Sequence, residues 1–264
     1  MPELRVKFIY EHGTADDNRL DLYDGSKSLE GIARTLTITT HALLNGEVRT
    51  RADAAHGAEF YIQAPRSGSF IYEAAIFVGG AISSGLFYDF LKYTLNEAIG
   101  KIEEAPIRPS LQDRIEPTMG ELPAVLENAL LDVHRPLMQS PEMRLKVTRP
   151  RGEVLAVFDR ETGLNLRPHN ETLDDPVLGN VTRYNTLSRW GKLYDRSEER
   201  VISFQLSEDL TVHERSLITW SLHESNLRHE HWLYFKVVAL RTASQNRTKR
   251  YFITRVSQTP LTDA

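Results

Sequence analysis

From Leu4 to Tyr10 the chain alternates apolar and polar positions, with a bias toward β-branched and aromatic residues. This pattern predicts a half-buried strand, ended by the polar stretch His12 to Arg19. After Asp24-Gly25-Ser26, the residues Leu29, Ile32, Ala33, Leu36, Thr40, Leu43 and Leu44 recur at three- and four-residue steps, and Asn45-Gly46 offers a left-handed stop. That spacing predicts a two-faced helix of about five turns. Phe60 to Gln63 and Phe70 to Val78 read as strands that pair across a turn at Ala64 to Ser69. Ser83 or Ser84 then caps a helix with Leu86, Phe87, Phe90, Leu91, Thr94, Leu95, Ala98 and Ile99 on one stripe. Glu103 to Pro117 is broken by prolines and charges and reads as a linker or loose surface segment. Thr118 and Glu121 have the spacing of a capping box for a helix through Leu122, Val125, Leu126, Ala129, Leu130 and Val133, which Pro136 stops.

Pro141 to Arg151 reads as a boundary, and the pattern changes beyond it. Strands are predicted at Glu153 to Phe158, Gly179 to Asn185, Gly191 to Tyr194, Val201 to Leu206, Trp232 to Leu240 and Lys249 to Val256. A helix from about Val212 to Asn226 interrupts them, with Leu217, Ile218 and Leu222 inward. Short strands with a helix between the third and fourth match a small OB-like barrel. The fold class is therefore α+β: an N-terminal small sheet with helices at 1–145, then a small β-barrel of OB or cold-shock type at 150–260.

Composition narrows the function classes. With 264 residues, 41% of them hydrophobic and 26% charged, the chain can bury one large core or two smaller ones. It has no cysteine, which excludes disulfides, thiolate metal sites and thiolate nucleophiles and suits a reducing, cytoplasmic setting. The N-terminus lacks the basic start and apolar run of a secretory signal. The longest uncharged stretch, Ala74 to Tyr88, would span only ~22 Å as a helix against a bilayer core of ~30 Å, so no integral membrane segment is expected. The net charge of −4 is uneven. Residues 1–150 hold 16 Lys/Arg against 21 Asp/Glu, whereas residues 181–260 hold 13 against 8. A basic module fits contact with nucleic acid or another phosphate-rich partner, and equally fits attraction between the two halves.

Catalytic signatures are missing. Gly-x-Ser-x-Gly, the Walker pattern and Gly-x-Gly-x-x-Gly do not occur, and Gly79 to Gly85 reads as a strand-to-helix turn. His213, Glu214, His223, Glu224, His229, Glu230 and His231 crowd nineteen residues and could hold a metal. On a helix, however, His213 and His223 stand ~80° apart, so solvated histidines are the favoured reading. Asp16, Asp17, Asp21 and Asp24 form an acidic patch without calcium-loop spacing and read as a solvated loop. No cofactor and no catalytic residue are assigned.

Gly179-Asn-Val-Thr-Arg183-Tyr-Asn185, Trp190-Gly-Lys192-Leu-Tyr194 and Val201-Ile-Ser-Phe204 together resemble the opening of a cold-shock domain over about 26 residues. The resemblance implies an OB barrel that binds single-stranded nucleic acid by stacking bases on aromatics while basic residues track the backbone. Trp190 matches a stacking aromatic, and Phe204 stands where the family has a histidine. Arg183, Lys192 and Ile202 occupy aromatic positions of the family, and Arg189 replaces a glycine. Those departures support a barrel more than RNA binding. Arg247 to Arg250, with Arg241, Tyr251, Phe252 and Arg255, reads as a basic hairpin.

The whole chain also resembles uncharacterised bacterial two-part proteins associated with phage-defence neighbourhoods, through Leu29-Glu-Gly-Ile-Ala-Arg34 and Gly68-Ser-Phe70. The expected function is non-catalytic binding of nucleic acid or a phosphate-rich partner through Arg183, Arg189, Trp190, Lys192, Phe204, Lys249 and Arg250. The alternative is a protein-interaction or self-assembling scaffold, a homo-oligomer in anti-phage defence, with the apolar second faces of helices 28–44 and 84–99 in its interface. A third reading is a hydrolase or nuclease built on the His/Glu cluster.

Overall fold

The computed structural model describes residues 3–50, 55–63, 70–79, 82–101, 108–150 and 152–261. The chain is α+β and divides into two units by its internal contacts. One comprises Met1–Thr118 with Leu122–Arg167, the other Met119–Glu121 with Pro168–Ala264. Among the described residues no helix is long and apolar enough to cross a membrane.

The first unit is built on an antiparallel sheet of five strands, β1 (Glu3–Glu11), β2 (Ala58–Gln63), β3 (Ile71–Val78), β4 (Arg144–Thr148) and β5 (Val154–Phe158), in the order β2-β3-β1-β4-β5. The alternation in β1 does what its period requires: Leu4, Val6, Phe8 and Tyr10 are buried. Arg5 and Lys7 on the opposite face approach Glu73 of β3 at 3.7 and 3.9 Å. The turn expected at Ala64 to Ser69 lies outside the described residues, but the strands flanking it pair as expected.

The expected boundary at 145–150 falls instead at Arg167/Pro168. β4 occupies the segment read as a boundary, and β5, read as the first barrel strand, pairs with β4. The helices of this unit are α1 (Leu22–Asn45), α2 (Ser84–Ala98), α3 (Pro109–Ile115), α4 (Glu121–Val133), α5 (Arg135–Gln139) and α6 (Arg160–Asn165). α1 starts earlier than its apolar pattern because Asp21 Oδ1 accepts from the backbone N–H groups of Tyr23 and Asp24 at 2.9 and 3.0 Å. From Thr35 to Leu43 every residue of α1 is buried, so its second apolar face is already covered within the chain and is not left for an oligomer interface. Gly31 permits α1 to cross α4 closely: a Cβ there would stand 2.5 Å from the Ala129 carbonyl oxygen. Ser83 caps α2 as expected, accepting from Leu86 N–H at 3.3 Å. α4 begins at Glu121 itself, so the Thr118/Glu121 spacing does not bracket its first turn. The segment read as a linker contains α3 at its described end, while residues 102–107 lie outside the described set.

The second unit contains β6 (His169–Thr172), β7 (Val177–Tyr184), β8 (Trp190–Asp195), β9 (Arg200–Leu206), α7 (Val212–Asn226), β10 (Leu233–Arg241) and β11 (Thr248–Ser257). Five strands close into a barrel: β7, β8 and β9 pair in series, β9 pairs in parallel with β11, β11 pairs with β10, and β10 returns to β7. The helix between the third and fourth barrel strands is present as expected, and β6 extends the sheet beyond β10. Val181, Leu193, Ile202, Phe204, Phe235 and Ile253 lie in the barrel core. β10 pairs with β7 only over Val177 to Gly179. Beyond that point α7 takes over: Ser221 Oγ accepts from Val181 N–H at 2.9 Å, and Ser225 Oγ donates to Val181 C=O at 2.7 Å. The helix thus satisfies backbone groups that the separating strands leave open.

Candidate nucleic-acid interface

Three of the sequence-predicted cations meet on the outside of the barrel. Arg183 of β7 is the direct cross-strand partner of Lys192 of β8, Lys192 of Ser203 of β9, and Ser203 of Arg250 of β11. Residues in register share a face, so this row places Arg183, Lys192 and Arg250 within three strand steps, about 14 Å, on one surface. Each is half-buried. Lys192 Nζ donates to Ser203 Oγ at 2.8 Å, which holds the ammonium over the middle of the row.

A local irregularity makes the row possible. Val181 and Arg183 are two residues apart and would share a face in a regular strand, and Val181 is wholly buried in the core. The register shifts between them, leaving Thr182 as the extra residue of a β-bulge. Arg183 is thereby turned outward beside Lys192, and Tyr184 turns inward, its ring stacked on Phe204 with centroids 6.2 Å apart.

The aromatics assigned to stacking are not on this surface. Phe204 has no exposed area and belongs to the barrel core, because Ile202, Phe204 and Leu206 share the inward parity of β9. Gly191 accommodates it: a Cβ there would lie 2.3 Å from Phe204 Cζ. Trp190 retains only 6% exposure and rests against Gly120 of the Met119–Glu121 segment that groups with the barrel. Neither ring offers a face to a base. Arg189 lies in the β7–β8 turn, where Asn185 Oδ1 accepts from Leu187 and Ser188 N–H groups. It has a left-handed backbone (φ 62°) and pairs with Glu208 at 3.4 Å, so it stands outside the row. Lys249 falls at the register shift between β10 and β11.

A polar network at the Asp195 end of β8 escaped the sequence reading. Asp195 is wholly buried, its Oδ2 accepting from Tyr251 O–H at 2.6 Å and its Oδ1 from Ser197 N–H and O–H, each at 2.7 Å. Burial, then the neighbouring carboxylate, pushes the Tyr251 hydroxyl far above its usual range. Glu198 binds Arg200 and the Thr248 hydroxyl beside it. The available signal was Asp195-Arg-Ser197, an Asx-turn spacing. This network joins the β8–β9 turn to β11.

The remaining candidates are dispersed. His229 Nδ1 pairs with Glu224 at 2.8 Å and His231 Nε2 meets Ser221 Oγ at 2.9 Å, while Ser221 itself is wholly buried and inaccessible as a nucleophile. Among the described residues no three His, Asp or Glu side chains converge as metal ligands. In the acidic patch, Asp21 caps α1, Asp17 pairs with Arg19, Asp16 accepts from His12 N–H, and Asp24 pairs with Arg135.

No curated protein and no solved structure matches the chain. The family model of a domain of unknown function (DUF7946) matches residues 6–162. That match covers most of the sheet-and-helix unit, stops short of the barrel and takes in more than half of the sequence, so the chain belongs to that family.

Proposed function

We propose that the barrel is a non-catalytic binding module whose outer face takes the phosphate backbone of single-stranded nucleic acid. The observation that carries this is the row Arg183–Lys192–Ser203–Arg250. Like charges directly opposite on neighbouring strands destabilise a sheet, and a bulge is spent on bringing Arg183 opposite Lys192. Because Trp190 and Phe204 are buried, recognition rests on phosphates rather than on stacking, and the module tolerates any base sequence. The OB-like arrangement and the net positive charge of residues 181–260 support the same reading.

The test is fluorescence-anisotropy titration of single-stranded RNA, single-stranded DNA and duplex DNA across a salt series. With about three phosphates neutralised, log K against log salt falls with a slope near −2 for single strands, about twentyfold between ~50 and ~200 mM. Arg183→Ala, Lys192→Ala, Arg250→Ala together should flatten that slope. A salt-independent response, or a triple variant that binds as the parent does, removes the proposal.

A second reading, a protein-interaction or self-assembling scaffold, is favoured by β2. It is an edge strand carrying Tyr61 and Ile62 at 55% and 57% exposure without a Lys or Pro to protect it. The resemblance to two-part proteins of phage-defence neighbourhoods supports placing such a scaffold in antiviral defence. Light scattering that finds a monomer at all concentrations counts against it.

A further inference from the structure

In the sheet-and-helix unit, the start of α1, α5 and the end of α6 enclose a crevice of about 170 Å3. Its polar lining is Asp24, Arg135, Gln139 and Arg167, and its apolar lining includes Leu131, Met138 and Leu164. Asp24 is buried, and its Oδ1 accepts from Arg135 Nε at 2.9 Å. The same guanidinium lies over the Tyr23 ring, 5.0 Å from its centroid. Arg135 is thus held at two places, through Nε and through its flat face.

This leaves the outer fork of the guanidinium. Among the described residues the two Nη groups of Arg135 have no hydrogen-bond partner, and the Arg167 side chain has neither a hydrogen bond nor an ion pair. One buried carboxylate, Asp24, and two arginines therefore line the crevice. Asp132, the next acidic group acting on Arg135, is engaged by Arg34 at 3.5 Å. The Asp24–Arg135 pair alone is explained as a clamp between α1 and α5. A second arginine, the exposed Arg167, lines the same crevice with no counter-charge of its own.

We infer that this crevice is a binding site for a small oxyanion, a phosphate or carboxylate group on a short apolar stem. The Nη pair of Arg135 supplies the planar two-point contact that such groups accept, and its orientation is fixed before the ligand arrives. Arg167 neutralises the second charge, and Leu131, Met138 and Leu164 cover the stem. The site is independent of the barrel face, sharing no residue with it.

The first probes are inorganic phosphate and butyrate, titrated by calorimetry and by thermal unfolding against sodium chloride at matched ionic strength. Saturable binding of either probe is expected, with phosphate distinguishing a phosphoryl source from a carboxylate one. Arg167→Ala, which breaks no observed side-chain bond, should weaken it at least about tenfold. Arg135→Lys retains the charge beside Asp24 but loses the fork, and should weaken it comparably. Arg183→Ala, Lys192→Ala should leave it unchanged. Absence of saturable binding for both probes overturns the inference. So does a rise in unfolding temperature that grows without limit and equally in all variants, since excluded salts stabilise any folded protein that way. Loss of binding only in the barrel variant overturns it as well.

Discussion

Replacing Gly31 by alanine sets two effects of opposite sign against each other. In the middle of α1 an alanine gains about 1 kcal/mol of helix propensity over glycine. The structure opposes this with the backbone of α4. The new Cβ would stand 2.5 Å from Ala129 O, 2.8 Å from Val133 N and 2.9 Å from Asp132 Cβ. Ordinary carbon–oxygen contacts begin near ~3.3 Å, so α4 must retreat by most of an ångström. None of the three obstructing atoms is the far end of a flexible side chain. Overpacking of this kind costs about 1–3 kcal/mol and more where backbone must move, and α4 cannot move without disturbing the buried Leu126, Leu130 and Val133. The net expectation is a loss of about 1–3 kcal/mol, or roughly 3–10 °C in unfolding temperature for a unit of this size. Gly85, near the start of α2, is the control: nothing lies within 4 Å of its added Cβ. Gly85→Ala should be neutral or stabilising by up to about 1 kcal/mol. Urea and thermal unfolding followed by far-ultraviolet circular dichroism measure both. A Gly31→Ala protein as stable as the parent would refute the tight helix crossing.

Three further substitutions probe buried polar groups. Burial lowers the His134 pKa from 6.5 to about 4, so the neutral ring's contribution is present above pH 6.5 and is lost as pH falls through the interval down to about 4. That interval is worth about 3 kcal/mol, and His134→Gln should flatten this part of the stability–pH curve; an unchanged curve excludes His134 as its source. Tyr251→Phe removes the hydroxyl that donates to buried Asp195 and should destabilise the barrel by about 1–3 kcal/mol. Trp190, Trp220 and Trp232, the three tryptophans, all lie in that unit, so tryptophan fluorescence reads its unfolding directly, and a change below about 0.5 kcal/mol would contradict the network. Ser221→Ala strips the acceptor from Val181 N–H, and hydrogen exchange at that amide should accelerate well beyond its neighbours. Unchanged exchange would show that α7 does not complete β7.

The parts of the fold that follow local periodicity were legible. β1, β7 to β11 and α7 all appear within a few residues of their patterns, because each buries one regular face. What escaped has physical causes. All four residues of β6, His-Asn-Glu-Thr, are exposed, so no apolar period marks it and only its ladder with β10 makes it a strand. β4 is five residues long and sits between Pro141 and Pro150, which disguised an alternating Leu145-Lys-Val147 as a boundary. β5, Val-Leu-Ala-Val-Phe, was recognised as a strand but given to the wrong sheet, since a continuous apolar run carries no information about its partner. α1 was begun too late because its first turn is set by the Asp21 cap and the Asp24–Arg135 bond rather than by apolar residues.

The candidate face shows the same division more sharply. Parity alone separates Ser203, outward, from Ile202 and Phe204, inward, and applied strictly to Val201-Ile-Ser-Phe204 it removes Phe204 from any outer surface. The same rule applied to β7 gives the wrong answer, placing Arg183 in the core with Val181. Only the bulge at Thr182 reverses it, and no residue of Val181-Thr-Arg183 announces a bulge, because there is no glycine at the site. Of the seven residues read as a binding surface, the structure buries Trp190 and Phe204 and brings Arg183, Lys192 and Arg250 into one cross-strand row. The row depends on the length of β7 as much as on its charges. Deleting Thr182 should turn Arg183 toward Phe204 and cost the barrel its stability before any measurement of affinity is reached, whereas Arg183→Ala in the intact bulge should leave stability within about 0.5 kcal/mol and remove one phosphate contact from the salt slope.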